Sequence, residues 1–245
     1  METHRFRART VPELLDASFQ VVRATFWELC LVTLIVTGPA LALQLVVPEE
    51  WIGLVEWLQI VLECYSTAAV VLIVSDVYLG REVSIGSALK RTLARFGSIL
   101  GAALVAGIVF VAGLLACVVP GIIVLIVAFA MPMAVVLEGC TPWDAFERSK
   151  NLARDQWGRI AATYVLTYLL ALVAAIGVGV VGVLAGGEWM GRLFNVLGGA
   201  MFAPFVSVVG TLLYYDLRIR KEGFDIEMLV SEVNALGTAA REPAL

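Results

Sequence analysis

Histidine is almost missing from this chain: His4, in the N-terminal tail, is the only one in 245 residues. Its scarcity leaves little room for His-dependent catalysis or His-rich metal sites. Charge is also scarce, at 16% Asp, Glu, Lys and Arg against roughly 25% in ordinary soluble domains. The four cysteines, Cys30, Cys64, Cys117 and Cys140, lie in or beside apolar runs. They have no CxxC spacing and no histidine neighbour, so neither a zinc site nor a disulfide framework is indicated. There is no GxGxxG opening a helix after a strand, no P-loop, no HExxH and no GxSxG. No cofactor, no metal and no catalytic residue is expected, and the chain reads as a non-enzyme.

What the sequence has in abundance is apolar length. From Ser98 to Leu137 there is no Asp, Glu, Lys, Arg or His. A helix rises about 1.5 Å per residue, so ~20 residues cross a ~30 Å hydrocarbon core and this run holds two crossings. Pro120-Gly121 sits just past its middle and predicts the turn between them. A soluble chain of this size could hardly bury such a run. Four more spans are expected: Phe26 to Val47 with a kink at Pro39, Trp57 to Leu79, Ile160 to Leu184, and Leu193 to Leu217. Ala185-Gly186-Gly187-Glu188 turns the chain between the last two. The basic N-terminus lacks an early apolar core, so a retained Met1 is expected rather than a cleaved signal peptide.

Three amphipathic helices separate the spans. Thr10 to Arg23 has a capping box in Thr10 and Glu13 and an apolar face of Leu15, Phe19 and Val22. Ser84 to Phe96 places Ile85, Ala88, Leu89, Leu93 and Phe96 opposite Lys90, Arg91 and Arg95. Thr141 to Trp157 has Thr141 as N-cap, Pro142 in the first turn, an apolar side of Ala145, Phe146, Leu152 and Ala153, and an Asp144–Arg148 i,i+4 pair. An amphipathic helix followed by two spans thus recurs, which predicts a threefold helix-plus-hairpin repeat. The fold expected is all-α: six transmembrane helices and three cytoplasmic amphipathic helices in one membrane domain over 1–225, with a short cytoplasmic tail over 226–245.

Charge placement orients this topology. Four groups of four Lys and Arg flank alternate connections: Arg5, Arg7, Arg9, Arg23; Arg81, Lys90, Arg91, Arg95; Arg148, Lys150, Arg154, Arg159; and Arg218, Arg220, Lys221, Arg241. Arg192 alone lies on the other side. The positive-inside rule makes the crowded side, with both termini, cytoplasmic. Glu49, Glu50, Glu56 and Glu188 fall on the far side, with Trp51, Trp57 and Trp189 as interfacial anchors. Anionic headgroups on the cytoplasmic face and a membrane protein are the expected partners. Basic residues confined to membrane exits give no support for nucleic-acid binding.

Leu212 to Asp225 reads LLYYDLRIRKEGFD. This resembles the closing motif of the glycerophosphoryl diester phosphodiesterase membrane-domain family. Glu13-Leu14-Leu15-Asp16 with Phe19 and Arg23 is similar to that family's opening helix. Pro120-Gly121, Pro132, Glu138 and Ala145-Phe146-x-Arg148-Ser149 are similar to its middle. The resemblance implies a multi-span prokaryotic membrane module, named from fusions to a separate phosphodiesterase domain. That domain is a metal-dependent TIM barrel of roughly 250 residues with catalytic histidines, for which this chain has neither length nor histidines.

Two groups of residues are candidates for function. Asp216, Arg218, Arg220, Lys221, Glu222 and Phe224 form either a membrane-exit anchor or a docking site for a partner or lipid. Tyr214 and Tyr215 fit an aromatic belt beside them, and Gly223 ends the helix. Glu63 lies inside span two with no intramembrane Lys or Arg to pair with. Inserting its charge costs about 2.5–3.5 kcal/mol, close to the cost of keeping it protonated at pH 7. It is either a proton or cation site, or a protonated acid bonded to Ser, Thr or Tyr on a neighbouring helix. Asp76, Glu138 and Asp216 fall at cytoplasmic span ends, where interfacial pairing is expected. Gly97-x-x-x-Gly101 and Gly182-x-x-x-Gly186 suit helix contacts within the chain. The function expected is a non-catalytic scaffold or partner- and lipid-interacting membrane module. The alternative is a small-solute or proton-coupled carrier using Glu63, Pro39 and the Gly-rich spans. A membrane enzyme, needing acids converging at the cytoplasmic interface, ranks third.

Overall fold

A computed structural model describes residues 8–223; Arg5, Arg7, Phe224, Arg241 and the tail over 226–245 lie outside them. Every element among the described residues is helical. Six helices are long and apolar enough to cross a membrane, as in a multi-pass membrane protein: Phe26–Gln44, Glu50–Tyr78, Phe96–Ala116, Val119–Glu138, Trp157–Leu184 and Phe202–Glu222.

α1 (Val11–Ala24) starts where the cap residues place it. The Thr10 backbone N–H and hydroxyl donate to Glu13 Oε2 at 2.7 and 2.9 Å, and Pro12 occupies the first turn, where no N–H is needed. Its buried side is Leu14, Leu15 and Ser18, one position round from the expected face of Leu15, Phe19 and Val22. Phe19 is half-exposed yet lies against Phe205 of the last helix, with ring centroids 4.7 Å apart. The face is set by what it packs on, the end of the last span, and not by the hydrophobic pattern alone.

α2 (Phe26–Val46) and α3 (Glu49–Tyr78) form the first hairpin around Val47-Pro48. α2 runs unbroken through Pro39. Buried Thr33 and Thr37 hydroxyls donate to the carbonyls one turn back, at 2.9 and 2.8 Å, which satisfies them inside an apolar helix. α3 starts at Glu49, well before the expected Trp57, and its 30 residues span about 45 Å. The run Ala68 to Val74 is buried on all sides and forms the centre of the bundle.

α4 (Ile85–Ala94) follows, with its N-cap Ser84 accepting the Ser87 N–H. Ala88 and Thr92 are its buried positions, while Leu93 points outward. α5 (Phe96–Ala116) ends at Cys117, whose extended backbone makes the turn into α6 (Val118–Ala128). The turn is therefore not at Pro120-Gly121. Pro120 is the third residue of α6, where the missing N–H would have no helical partner anyway. Gly121 serves packing: a Cβ on Gly113 would come within 3.1 Å of its Cα, so α5 and α6 cross there at close range. The fourth span is then interrupted. After α6 come α7 (Met131–Met133) and a π-helical turn, Ala134–Glu138. The buried hydroxyl of Ser149 bridges the interruption, accepting the Ala130 N–H at 2.9 Å and donating to the Val127 carbonyl.

That serine comes from α8 (Pro142–Ala153), capped by Thr141, which accepts the Asp144 N–H at 3.3 Å. α9 (Trp157–Glu222) is two arms reversed at Gly186-Gly187; Gly187 has φ of 74°, a conformation that favours glycine. A Cβ on Gly198 would meet the Val178 side chain at 3.0 Å, so the arms pack against each other. Gly223, at φ 64°, ends the second arm. The second and last spans are mostly buried, whereas α5 and the first arm of α9 face outward with Leu104, Ile108, Val165, Leu169 and Val173. Outward apolar faces of this kind suit hydrocarbon as the surrounding medium.

Candidate functional site

The ion pairs among the described residues gather at one end of the bundle, where the second, fourth and sixth spans finish and the third and fifth begin. Asp216 is the most enclosed, with its side chain 2% exposed. Its Oδ1 accepts the backbone N–H of Arg9 at 2.6 Å. Its Oδ2 faces Arg159 Nη2 at 2.8 Å and Arg220 Nε at 2.9 Å. Both arginines also donate to the Arg9 carbonyl, Arg220 at 2.7 Å. A carboxylate this far from water needs several such charge-assisted bonds. The result ties the segment before α1 to both arms of α9.

A second cluster surrounds Glu138, which the π-helical turn delivers to the same end. Arg148 of α8 grips Glu138 through Nε and Nη2 at 2.8 and 2.9 Å and donates to both oxygens of Glu222, Nη2 at 2.8 Å. Arg218 reaches Glu222 at 3.0 Å and Glu138 at 3.7 Å. The Tyr214 hydroxyl donates to Glu138, and Arg218 lies over its ring, 5.9 Å from the centroid. Two carboxylates and two guanidiniums neutralise each other here. The hydrogen bonds that Arg148 donates to Glu222, then to Glu138, hold its pKa above the usual value, so this arginine stays charged throughout. The expected Asp144–Arg148 pair does not form: Asp144 accepts from the Thr141 hydroxyl at 2.6 Å, and Arg148 turns the other way. Beside this cluster, burial and the Glu138 charge push the Cys140 thiol up, which makes it a poor nucleophile.

Asp76, at the end of α3, has Arg91 at 3.4 Å and Arg81 at 3.9 Å. Lys221 caps α8, donating to the carbonyls of Asn151 at 2.8 Å and Arg154. Arg95 donates to the Val135 and Val136 carbonyls at 3.1 and 2.9 Å, closing the π-helical turn. Tyr214 and Tyr215 are buried rather than belted at an interface; Tyr215 shares a 2.7 Å hydrogen bond with Ser75 and stacks on Tyr78. The structure thus brings Asp216, Arg218, Arg220, Lys221 and Glu222 together, all engaged within the chain. Lys90, Lys150 and Arg154 point outward at the same end, as do Trp143 and Trp157. Sequence reasoning missed Arg9, Arg159 and Ser149 as joining groups, because their partners are far away along the chain and no local periodicity marks them.

Glu63 is set apart from this end. It stands halfway along α3, about 20 Å from either tip. Its Oε1 accepts from Gln59 Nε2, one turn earlier, at 3.1 Å. No Ser, Thr or Tyr of a neighbouring helix takes that place among the described residues. The side chain lines a half-open cleft of 340 Å³ between α3, α5 and the interrupted fourth span, with Ile60, Thr67, Ile99, Ala103 and Met131 among its walls. A lone carboxylate in such walls can hold a cation or a proton. No group of three or more His, Cys, Asp or Glu among the described residues is placed to hold a metal ion.

No curated protein and no solved structure matches the chain. A family model described as a domain of unknown function, DUF7847, matches residues 58–215, from α3 to the second arm of α9. That stretch takes in Glu63, Glu138, Arg148 and Tyr214, and the chain belongs to this family.

Proposed function

We propose that the chain is a non-catalytic multi-pass protein of the cytoplasmic membrane, with both termini in the cytoplasm, that acts as a scaffold for a partner protein and anionic lipid. The observation that carries this reading is the closed charged end. Its acids and arginines satisfy one another and bind the segment before α1, α8 and α9 into one body, while Lys90, Arg154 and Lys150, the last paired with Glu147 of its own helix at 3.6 Å, face outward. Such a surface is a platform, and each basic residue near anionic headgroups contributes about 1 kcal/mol. α1, α4 and α8 would be its cytoplasmic amphipathic helices, and the recurrence of a short helix before each pair of spans is read as a threefold repeat. The resemblance to the glycerophosphoryl diester phosphodiesterase membrane-domain family fits the same picture of a membrane module without a barrel.

The test is purification in a lipid-retaining medium followed by mass spectrometry. A stoichiometric protein or an enriched anionic lipid is expected, and it should be lost when Lys90, Lys150 and Arg154 are replaced together by Gln. Bare protein, or unchanged company in the triple variant, contradicts the platform. A second reading, a small-solute or proton-coupled carrier, is favoured by one specific observation: the mid-helix carboxylate of Glu63 opens into a cleft.

A further inference from the structure

We propose that the cleft beside Glu63 binds a small organic cation, an alkyl- or arylammonium ion, entering from the hydrocarbon side. This goes beyond the platform reading, and it needs only binding, not transport.

The walls decide the chemistry. α5 presents Ala102, Ala103 and Ala106 to the cleft, and these short side chains leave open the space that larger residues would fill. The break in the fourth span, pinned by Ser149, contributes Met131 and Pro132 on the other side. The cavity of 340 Å³ falls at the lower end of the size range of small-molecule sites, which are mostly apolar with a few polar groups that fix orientation. Here that polar group is an acid. Oε1 of Glu63 accepts from Gln59, and the exposed carboxylate shows no other hydrogen-bond partner among the described residues. A carboxylate at mid-membrane depth repels anions and gains most from a positive charge in low dielectric. A small hard cation is a poor match, because it takes six or more oxygen ligands and most of this cleft is hydrocarbon. A bare proton would leave the cavity itself unused. An ammonium ion carrying apolar substituents meets both the acid and the walls.

The probe is phenyltrimethylammonium, whose charge is permanent, so that partitioning of a neutral form does not intrude. Binding is measured by equilibrium dialysis against the full chain in lipid nanodiscs. Saturable binding of one probe per chain is expected, weakened at least tenfold in Glu63→Gln. Ala103→Leu, which fills the cleft and keeps the acid, should weaken it similarly. Sodium at a thousandfold excess should leave binding in place. No saturable binding, equal binding by either variant, or displacement by sodium overturns the site. None of these outcomes bears on the platform reading, which stands or falls on co-purification.

Discussion

Asp216 and Glu63 are both acids within apolar helices, and the chain treats them in opposite ways. Asp216 collects a backbone N–H and two guanidiniums from three separate segments. Glu63 has one amide from its own helix and an open cleft. The first arrangement costs much if any member is removed, because a buried charge is then left without its counterpart. The second holds little structure in place. Burial with many partners marks an acid that holds helices together, whereas a mid-helix acid with few partners is available to something outside the chain.

Substitutions can break or sharpen this contrast. The largest effect should come from Asp216→Asn, which leaves Arg159 and Arg220 without their buried counter-charge. A loss of about 3–5 kcal/mol is expected, read as a fall in melting temperature of roughly 6–20 °C at ~2–4 °C per kcal/mol in detergent. Arg148→Met should follow at about 2–3 kcal/mol, since it removes the Arg148 hydrogen bonds from Glu138 and Glu222 and leaves Arg218 as their one remaining guanidinium among the described residues; thermal unfolding in detergent checks it. Ser149→Ala removes the bridge across the broken fourth span and should cost about 1–3 kcal/mol, visible as faster amide exchange around Ala130. Glu63→Gln should change stability by less than about 0.5 kcal/mol and leave membrane yield intact. A collapse in yield would make this acid structural and dissolve the contrast.

Much of this architecture is legible in the sequence, and the exceptions have physical causes. Runs without charge give the spans, and cap residues such as Thr10, Glu13 and Thr141 give helix starts, because both signals are local. The hairpin turn is misread because proline and glycine each have two uses. Pro120 suits the first turn of a helix as well as a loop, and Gly121 is needed where α5 and α6 touch. The i,i+4 pair of Asp144 and Arg148 is geometrically available, yet two carboxylates from other segments, Glu138 and Glu222, offer more. Glu63 stands out in the sequence as an unpaired acid, but the cleft beside it depends on three helices and a break in one of them. Such arrangements leave no periodic trace.

The most direct test of the closed end is a double-mutant cycle between Arg159 and Asp216. Unfolding free energies are measured for the parent chain, Arg159→Gln, Asp216→Asn and the pair, in one detergent and at one ionic strength. A coupling of about 1–3 kcal/mol is expected for groups in one buried network. Additive losses would show that the two act separately, and the reading of Asp216 as the acid that locks the segment before α1 to both arms of α9 would be contradicted.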